Sequence, residues 1–368
     1  MSDSKKKLII LTAGGTGGHV YPADALAQEL EKRGYDLMLV TDQRGLNNYH
    51  GKLGEIENKA VLSGALVGKN ILFKIKSLIK VSLGILQSVF IIIKYKPKCV
   101  VGFGGYASFP CAVASILTGT DLIIHEQNSV MSRTNRFLAK YASKIATSFP
   151  KTKYAPQGNN TILTGMPVRT AISALFDKQY EQPKQNEKFN LLILGGSQGA
   201  KIFSEVIPQA IKSLDEKAQK NIHITQQCRK DDVELLQSEY ANAECSSEIS
   251  NFFKNMPELY DINHLIISRA GASSVCEIAA AGIPSILVPL PTAADNHQTF
   301  NASEFKNKNG GLVIAQKEFT AEKLKEILEN FINNPSELSD MAKNTKKFAI
   351  IDADKRLADI VETTIKRG

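Results

Sequence analysis

The sequence predicts two doubly wound α/β domains in tandem, each a parallel sheet with helices on both faces. Three observations lead there. Short apolar runs alternate with helical stretches, the order that builds parallel sheets through crossover connections. Several of those runs end directly in glycine-rich loops. The pattern of apolar run, glycine loop and helix begins in "KKLIILTAGGTGGHVY" and restarts in "KFNLLILGGSQGAKIF", residues 188–203. At 368 residues the chain is also long for a single core, so two domains are expected.

In chain order, a first strand is expected over residues 7–12, followed by the loop "LTAGGTGGHVYPA". Pro22 suits the first turn of a helix that runs to about residue 33, where Gly34 stops it. "DLMLVTD" reads as a second strand ending at Asp42. Pro97 then precedes a short strand at residues 99–101 and a second glycine turn at residues 102–105. "DLIIHEQNS" is another buried strand ending in polar groups. The polar residues 175–188 read as a linker. In the second half "HLIIS" leads into Gly271, and a helix opens near Ser273 and stops at Gly282, with Pro284 behind it. Asn296, His297 and Gln298 fall on a loop after a further strand. A last helix, about residues 349–366, is expected to pack back on the first domain. Ligands are expected in a cleft between the carboxyl ends of the two sheets.

Composition narrows the class. The five cysteines, Cys99, Cys111, Cys228, Cys245 and Cys276, form no CxxC pair, which reads as reduced and mostly buried thiols with no disulfide framework and no zinc site. The basic N-terminus carries only "LIIL" before polar residues begin, which is expected to be a first strand and not a signal peptide. Charge is uneven. Residues 58–120 contain no Asp or Glu but hold Lys59, Lys69, Lys74, Lys76, Lys80, Lys94, Lys96 and Lys98, an excess equal to the formal +8 of the whole chain. A basic, apolar segment suits an anionic membrane surface or nucleic acid; the plainer reading is a solvated lysine face. Ile71, Ile75, Leu78, Ile79, Ser82 and Ile85 share one helical face with lysines around it, as in a peripheral membrane patch. The uncharged run of residues 81–93 is too short for a span of about 20 residues, and residues 89–93 are expected in the core.

Glycine loops between strand and helix suit phosphate, because the bare backbone approaches the anion and the helix offers unpaired N–H groups. There are three: residues 14–18, 102–105 and 195–199. Two rival readings are open. Gly15, Gly17 and Asp42 resemble a dinucleotide site, but Val20 stands where the third glycine belongs. Gly195 to Gly199 matches GxSxG, a hydrolase elbow in which Ser197 would need Asp261 and His297. Glu277 lies just inside the helix after Gly271, where a carboxylate can accept both hydroxyls of a ribose; the plainer role is interaction with the helix dipole. The Ala272 to Ser274 amides would face a diphosphate. "DAD" at residues 352–354 borders the last helix and reads as capping, not as a metal motif.

GGTGGH, GFGGYAS, HEQN, GMPVR, GGSQGA and AGASSVCEIAAAGIP…NHQTFNA together resemble the MurG-type glycosyltransferases in order and spacing, over nearly the whole chain. The resemblance implies the GT-B fold, two Rossmann-like doubly wound parallel-sheet domains facing a cleft: residues 1–169 plus about 346–368 for acceptor and membrane, and 170–345 for the UDP-sugar. It implies inverting transfer of N-acetylglucosamine from UDP-N-acetylglucosamine to the muramoyl C4 hydroxyl of lipid I, giving lipid II. Implied donor-binding positions are Thr16, Gly17, Gly18, Asn128, Arg169, Ser197, Phe253, Ala272, Ser273, Ser274, Val275, Cys276, Glu277 and Gln298. Phe253 stands where the family usually has Ile, so its contact with uracil is expected through the backbone. Gly14, Gly15, Gly104, Gly105 and Tyr106 are expected at the acceptor diphosphate. His19 is the candidate base, since an unperturbed pKa of about 6.5 suits proton acceptance; its plainer role is to position phosphate or sugar. Glu126 is the rival base. Ile71, Ile75, Leu78, Ile79, Ile85, Lys69, Lys74, Lys76 and Lys80 form the implied membrane patch. The resemblance implies no cofactor, no metal and no nucleic acid; partners are an anionic membrane surface and proteins of cell-wall synthesis or division, at the cytoplasmic face of the inner membrane. A soluble UDP-N-acetylglucosamine 2-epimerase-like enzyme is the alternative.

Overall fold

The computed structural model describes residues 6–15, 17–46, 51–64, 71–184, 187–196 and 199–366. The chain divides into two compact units, residues 1–169 with 350–368, and residues 170–349. Among the described residues, the first unit contains the strands β1 Leu8–Thr12, β2 Asp36–Thr41, β3 Glu57–Ala60, β4 Cys99–Gly102, β5 Asp121–Glu126, β6 Lys144–Thr147 and β7 Thr161–Leu163. They form one parallel sheet in the order β3-β2-β1-β4-β5-β6-β7. The second unit contains β8 Phe189–Leu194, β9 Ile222–Gln227, β10 Ser246–Ser250, β11 Leu265–Ser268, β12 Ser285–Leu287 and β13 Leu312–Val313, parallel and ordered β10-β9-β8-β11-β12-β13.

The central strands β1, β4, β8 and β11 are apolar because both of their faces are covered, whereas the edge strands β3 and β10 are polar and partly exposed. Along β1, Ile9 and Leu11 enter one core with Leu26 and Leu30 of the helix Gly17–Lys32, while Ile10 enters the other with Ile91, Ile92 and Cys111. The first helix begins at Gly17, so Pro22 lies inside it and not in its first turn. Pro22 has no N–H for the Gly18 carbonyl, so the helix gives up one hydrogen bond there.

The last described helix, Ala353–Ile365, belongs to the first unit. Leu357, Ala358, Val361 and Ile365 join the core of the first helix, and Arg33 pairs with Asp359 at 2.6 Å and Glu362 at 3.4 Å. Asp352 stands at its N-cap position, but the side chain makes no capping bond; it pairs with Arg356 at 2.9 Å instead. The capping role expected for that acid is therefore not seen.

The 25-residue helix Ile71–Tyr95 has an inverted pattern. Ser77, Val81, Gly84, Ser88, Ile91 and Ile92 are buried, whereas Ile71, Leu72, Phe73, Ile75, Leu78, Ile79, Leu83, Leu86, Phe90 and Ile93 are exposed. The buried positions recur at three- and four-residue steps, so residues 90 and 93 turn outward and only part of residues 89–93 is core. Ile85 is half-buried; Lys74, Lys76 and Lys80 are exposed, and Lys69 lies outside the described residues. By length and composition the helix could cross a membrane, but a third of its most apolar window is buried against the unit.

Small residues let this helix close on its neighbours. A Cβ at Gly84 would fall far inside contact distance of the Leu62 carbonyl oxygen and 3.3 Å from Pro110. Gly84→Ala is expected to lower unfolding free energy by about 2 kcal/mol, the order found for overpacked positions. Urea denaturation checks this; an unchanged midpoint would contradict the packing.

Candidate active site

Strand order reverses between β1 and β4 in the first sheet and between β8 and β11 in the second. Ligands bind outside the carboxyl ends of strands at such reversals. Gly14 and Gly15 follow β1, Phe103 to Gly105 follow β4, and Gly195, Gly196 and Gly199 follow β8, so the described part of each glycine loop stands at a reversal.

In the first unit, Gly104 and Gly105 have φ of 79° and 78°, which favours residues without Cβ. A Cβ at Gly105 would lie 3.2 Å from Gly14 Cα, one at Gly14 3.2 Å from His19 Cδ2, and one at Gly104 3.6 Å from His19 Cε1. The bare backbone thus makes room for the His19 imidazole. His19 lies in the first turn of the helix Gly17–Lys32, with Gly17 and Gly18 before it; Gly15 is exposed and Thr16 lies outside the described residues. Burial depresses the His19 pKa, opposed by hydrogen bonds to the Phe103 carbonyl and the Gln127 side chain, so the ring is neutral near pH 7. Its Nδ1 is shielded from solvent and has no partner among the described residues.

Glu126 is fully buried and heavily bonded. Its Oε1 accepts from Asn128 N at 3.0 Å, and Oε2 accepts from Ser132 N at 2.9 Å and Asn135 Nδ2 at 2.8 Å. Burial pushes its pKa up, while these donors and the Asn128 side chain oppose the shift. These bonds make Glu126 an organiser of the turn after β5, so a direct base role would require breaking them. Tyr106, 41% exposed, lies under the Arg44 guanidinium at 5.5 Å. Arg169 stacks over Tyr21 at 4.8 Å, and a Cβ at Gly17 would lie 3.0 Å from that ring. Asp42 accepts from Gly45 N at 2.8 Å and from Ser63 Oγ, beyond β3, at 2.9 Å, which commits it to tying these segments together and weakens the dinucleotide reading.

In the second unit the helix Ala272–Ala281 starts beyond β11. Gly271 makes no side-chain cap, so the first-turn N–H groups at Ala272 to Ser274 have no capping side chain there. The Ser273 hydroxyl is buried without a partner among the described residues. Val275 faces the core; burial pushes the half-buried Cys276 thiol up to about 12, which leaves it unreactive. Glu277, buried, accepts from Tyr260 Oη at 3.3 Å. Gln298 is not on a loop: it lies in the first turn of the helix His297–Lys306, entered through Asp295 and Asn296 at positive φ. Its Oε1 accepts from Leu290 N at 2.9 Å and Ala270 N at 3.2 Å, which fixes the amide with Nε2 as donor. Phe253 is 7% exposed, so its ring is core; its neighbour Phe252, 58% exposed, is the aromatic surface there. Ser197 lies outside the described residues.

The hydrolase reading does not hold. Asp261 precedes β11, at the amino end of the sheet, and pairs with Lys178, whereas His297 follows β12 at the carboxyl end. Residues that sequence reasoning missed include Gln127, Asn135, Tyr260 and Arg269. Arg269 is buried, donating to the Val288 carbonyl at 3.1 Å and to Gln316 Oε1 at 2.8 Å. Gln127 lies inside the HEQN motif and Arg269 directly before AGASSVC, whereas Asn135 and Tyr260 act at separations no local spacing reveals.

The chain matches the glycosyltransferase family 28 N-terminal domain over residues 9–147 and the family 28 C-terminal domain over residues 190–357. It is 41% identical over 356 residues to the UDP-N-acetylglucosamine–N-acetylmuramyl-(pentapeptide) pyrophosphoryl-undecaprenol N-acetylglucosamine transferase of Rhodospirillum rubrum, covering 97% of this chain and 92% of that one. The crystal structure of MurG from Acinetobacter baumannii superposes with a TM-score of 0.77 at 29% identity, covering 97% of this chain and 99% of that one. The UDP-GlcNAc 2-epimerase of Neisseria meningitidis gives a TM-score of 0.69 at 14% identity, with 99% and 100% covered; that is a shared fold alone.

Burial of His125 predicts an acid-labile site. Burial pulls its pKa down to about 4. Between that value and the unfolded value of about 6.5 the unfolded chain binds the extra proton, so stability falls as pH falls through this window, by up to about 3 kcal/mol. Urea denaturation from pH 7 to 4 is expected to show this slope, and His125→Gln to flatten it; equal slopes would contradict the buried neutral ring.

Proposed function

The chain belongs to the glycosyltransferase family 28 transferases that move N-acetylglucosamine onto N-acetylmuramyl-(pentapeptide) pyrophosphoryl-undecaprenol, and from that premise we propose how its residues divide the work. It has the GT-B fold and converts lipid I to lipid II with UDP-N-acetylglucosamine as donor. The second unit binds the donor: Ala272 to Ser274 amides and the Ser273 hydroxyl hold the diphosphate, Glu277 accepts from the ribose hydroxyls, and Gln298 donates to the sugar. Phe253 meets uracil through its backbone. The first unit binds the acceptor diphosphate at Gly14, Gly15, Gly104, Gly105 and Tyr106. The glycine loops at both reversals of strand order carry this reading.

In the reaction the muramoyl C4 hydroxyl attacks the anomeric carbon, with inversion. His19, neutral near pH 7, takes the hydroxyl proton. The electron pair of the anomeric C–O bond leaves with UDP, whose charge the helix amides and Arg169 stabilise.

The acceptor's undecaprenyl chain belongs in a bilayer, so the enzyme works as a peripheral protein at the cytoplasmic face of the inner membrane. The outward apolar face of the helix Ile71–Tyr95, with Lys74, Lys76 and Lys80, docks on anionic lipid. The 2-epimerase alternative needs no such face.

Three measurements test this. In an assay with a soluble lipid I analogue, His19→Ala is expected to lower kcat by about 100-fold or more. Glu277→Ala is expected to raise the KM for the donor by about 10-fold or more, as befits loss of hydrogen bonds to a charged group. In flotation with anionic vesicles, the double change Ile75→Glu and Leu78→Glu is expected to abolish binding while leaving turnover of the soluble analogue intact. Activity surviving the first two changes would remove the site; vesicle binding by the third would remove the patch.

A further inference from the structure

The buried groups behind His19 form a chain of hydrogen bonds whose directions can be deduced one from the next. His125 Nε2 lies 3.3 Å from the Gly165 carbonyl oxygen and 3.3 Å from Ser148 Oγ. A carbonyl only accepts, so His125 carries its hydrogen on Nε2 and its Nδ1 is an acceptor. Gln127 Nε2 is 3.2 Å from that Nδ1 and 2.8 Å from the Phe103 carbonyl, which is again only an acceptor. The amide nitrogen of Gln127 therefore faces His125 and Phe103, and its oxygen faces the other way. That oxygen and His19 Cε1 are both 3.6 Å from the place a Cβ would take at Gly104.

His19 meets two groups on this side, the Phe103 carbonyl and the Gln127 side chain. Both present oxygen. Its Nδ1 has no partner among the described residues, so the nitrogen turned to them is Nε2, and that nitrogen carries the hydrogen. Gly14 and Gly105 close on the Cδ2 edge of the ring, which leaves little room for it to flip.

We propose that Gln127 is a positioning residue: bridging His125 and His19, it holds His19 as the Nε2–H tautomer and so makes Nδ1 the atom that receives the acceptor's hydroxyl proton. The buried, unmet lone pair at Nδ1 is then the one the acceptor hydroxyl satisfies. The step balances: the hydroxyl proton passes to Nδ1, the new glycosidic bond forms at the anomeric carbon, and UDP departs with the electrons of the broken bond. This rests on the reading of His19 as base.

The test is nitrogen NMR of the full chain with ¹⁵N-labelled histidine near pH 7.5, with the His19 signals among the six histidines assigned by difference against His19→Ala. The expected result is a protonated Nε2 and an unprotonated Nδ1 at His19 in the unsubstituted enzyme. In Gln127→Met, which neither accepts through oxygen nor donates, the His19 signals are expected to shift toward a mixture of tautomers. Its kcat is expected to fall about 10- to 100-fold, part of the 10²- to 10⁴-fold worth of a base, with the KM for UDP-N-acetylglucosamine within twofold. Gln127→Asn, a shorter amide, serves if the methionine variant does not fold, and is expected to move the same signals less. A hydrogen on Nδ1 in the unsubstituted enzyme, or an unchanged tautomer and kcat in the variants, overturns the proposal. If His19→Ala keeps its activity while the tautomer shifts as described, the base reading fails and the positioning of the ring stands.

Discussion

The first unit turns on one close approach, that of the two glycine loops at the reversal of strand order. Gly14 and Gly105 come so near that a Cβ on Gly105 would sit 3.2 Å from Gly14 Cα. This contact needs β1 and β4 to be neighbours, which the order of the sheet provides. It needs backbone at φ near +79°, which glycine adopts without penalty. What it encloses is an imidazole whose pKa burial lowers, so that it is neutral near pH 7. One feature of chain topology thereby governs both how closely the two bare loops approach and how deeply the nearby histidine is buried.

The long helix Ile71–Tyr95 shows a different use of patterning. A surface helix usually turns its apolar stripe inward. Here Ser77, Gly84 and Ser88 face inward because close backbone packing demands small residues, and Ser88 returns its hydroxyl to the Gly84 carbonyl at 2.8 Å. The large apolar residues are left outside, beside lysines. An exposed apolar surface of this kind marks an interaction site, and the proposed docking on a bilayer would meet both its apolar and its cationic parts.

Much of this was legible in the sequence, for a physical reason. Strands buried on both faces leave continuous apolar runs, and tight turns leave glycines, so β1, β4, β8 and β11 with their loops could be read directly. The placement of the last helix was legible too, because a helix beyond a completed second unit needs another core to cover. Other features depended on contacts between distant residues. Nothing local says that Glu126 is saturated by Ser132 and Asn135, or that Asp42 serves Gly45 and Ser63. Gln298 was misplaced on a loop because the entry to its helix uses positive φ at Asp295 and Asn296, which the sequence signals only weakly. Pro22 misled the helix start for the opposite reason: its preference for a first turn is real, yet the glycines before it already form that turn.

The return of the helix Ala353–Ile365 to the first unit bears on how the polypeptide is made. Residues 170–349 are contiguous and can collapse into their own core as soon as they leave the ribosome. The earlier unit cannot: Leu26 and Leu30 stay uncovered on one side until Leu357 and Val361 have been synthesised. The amino-terminal half of the chain is thus the last to be finished. During translation it is the part most in need of a chaperone.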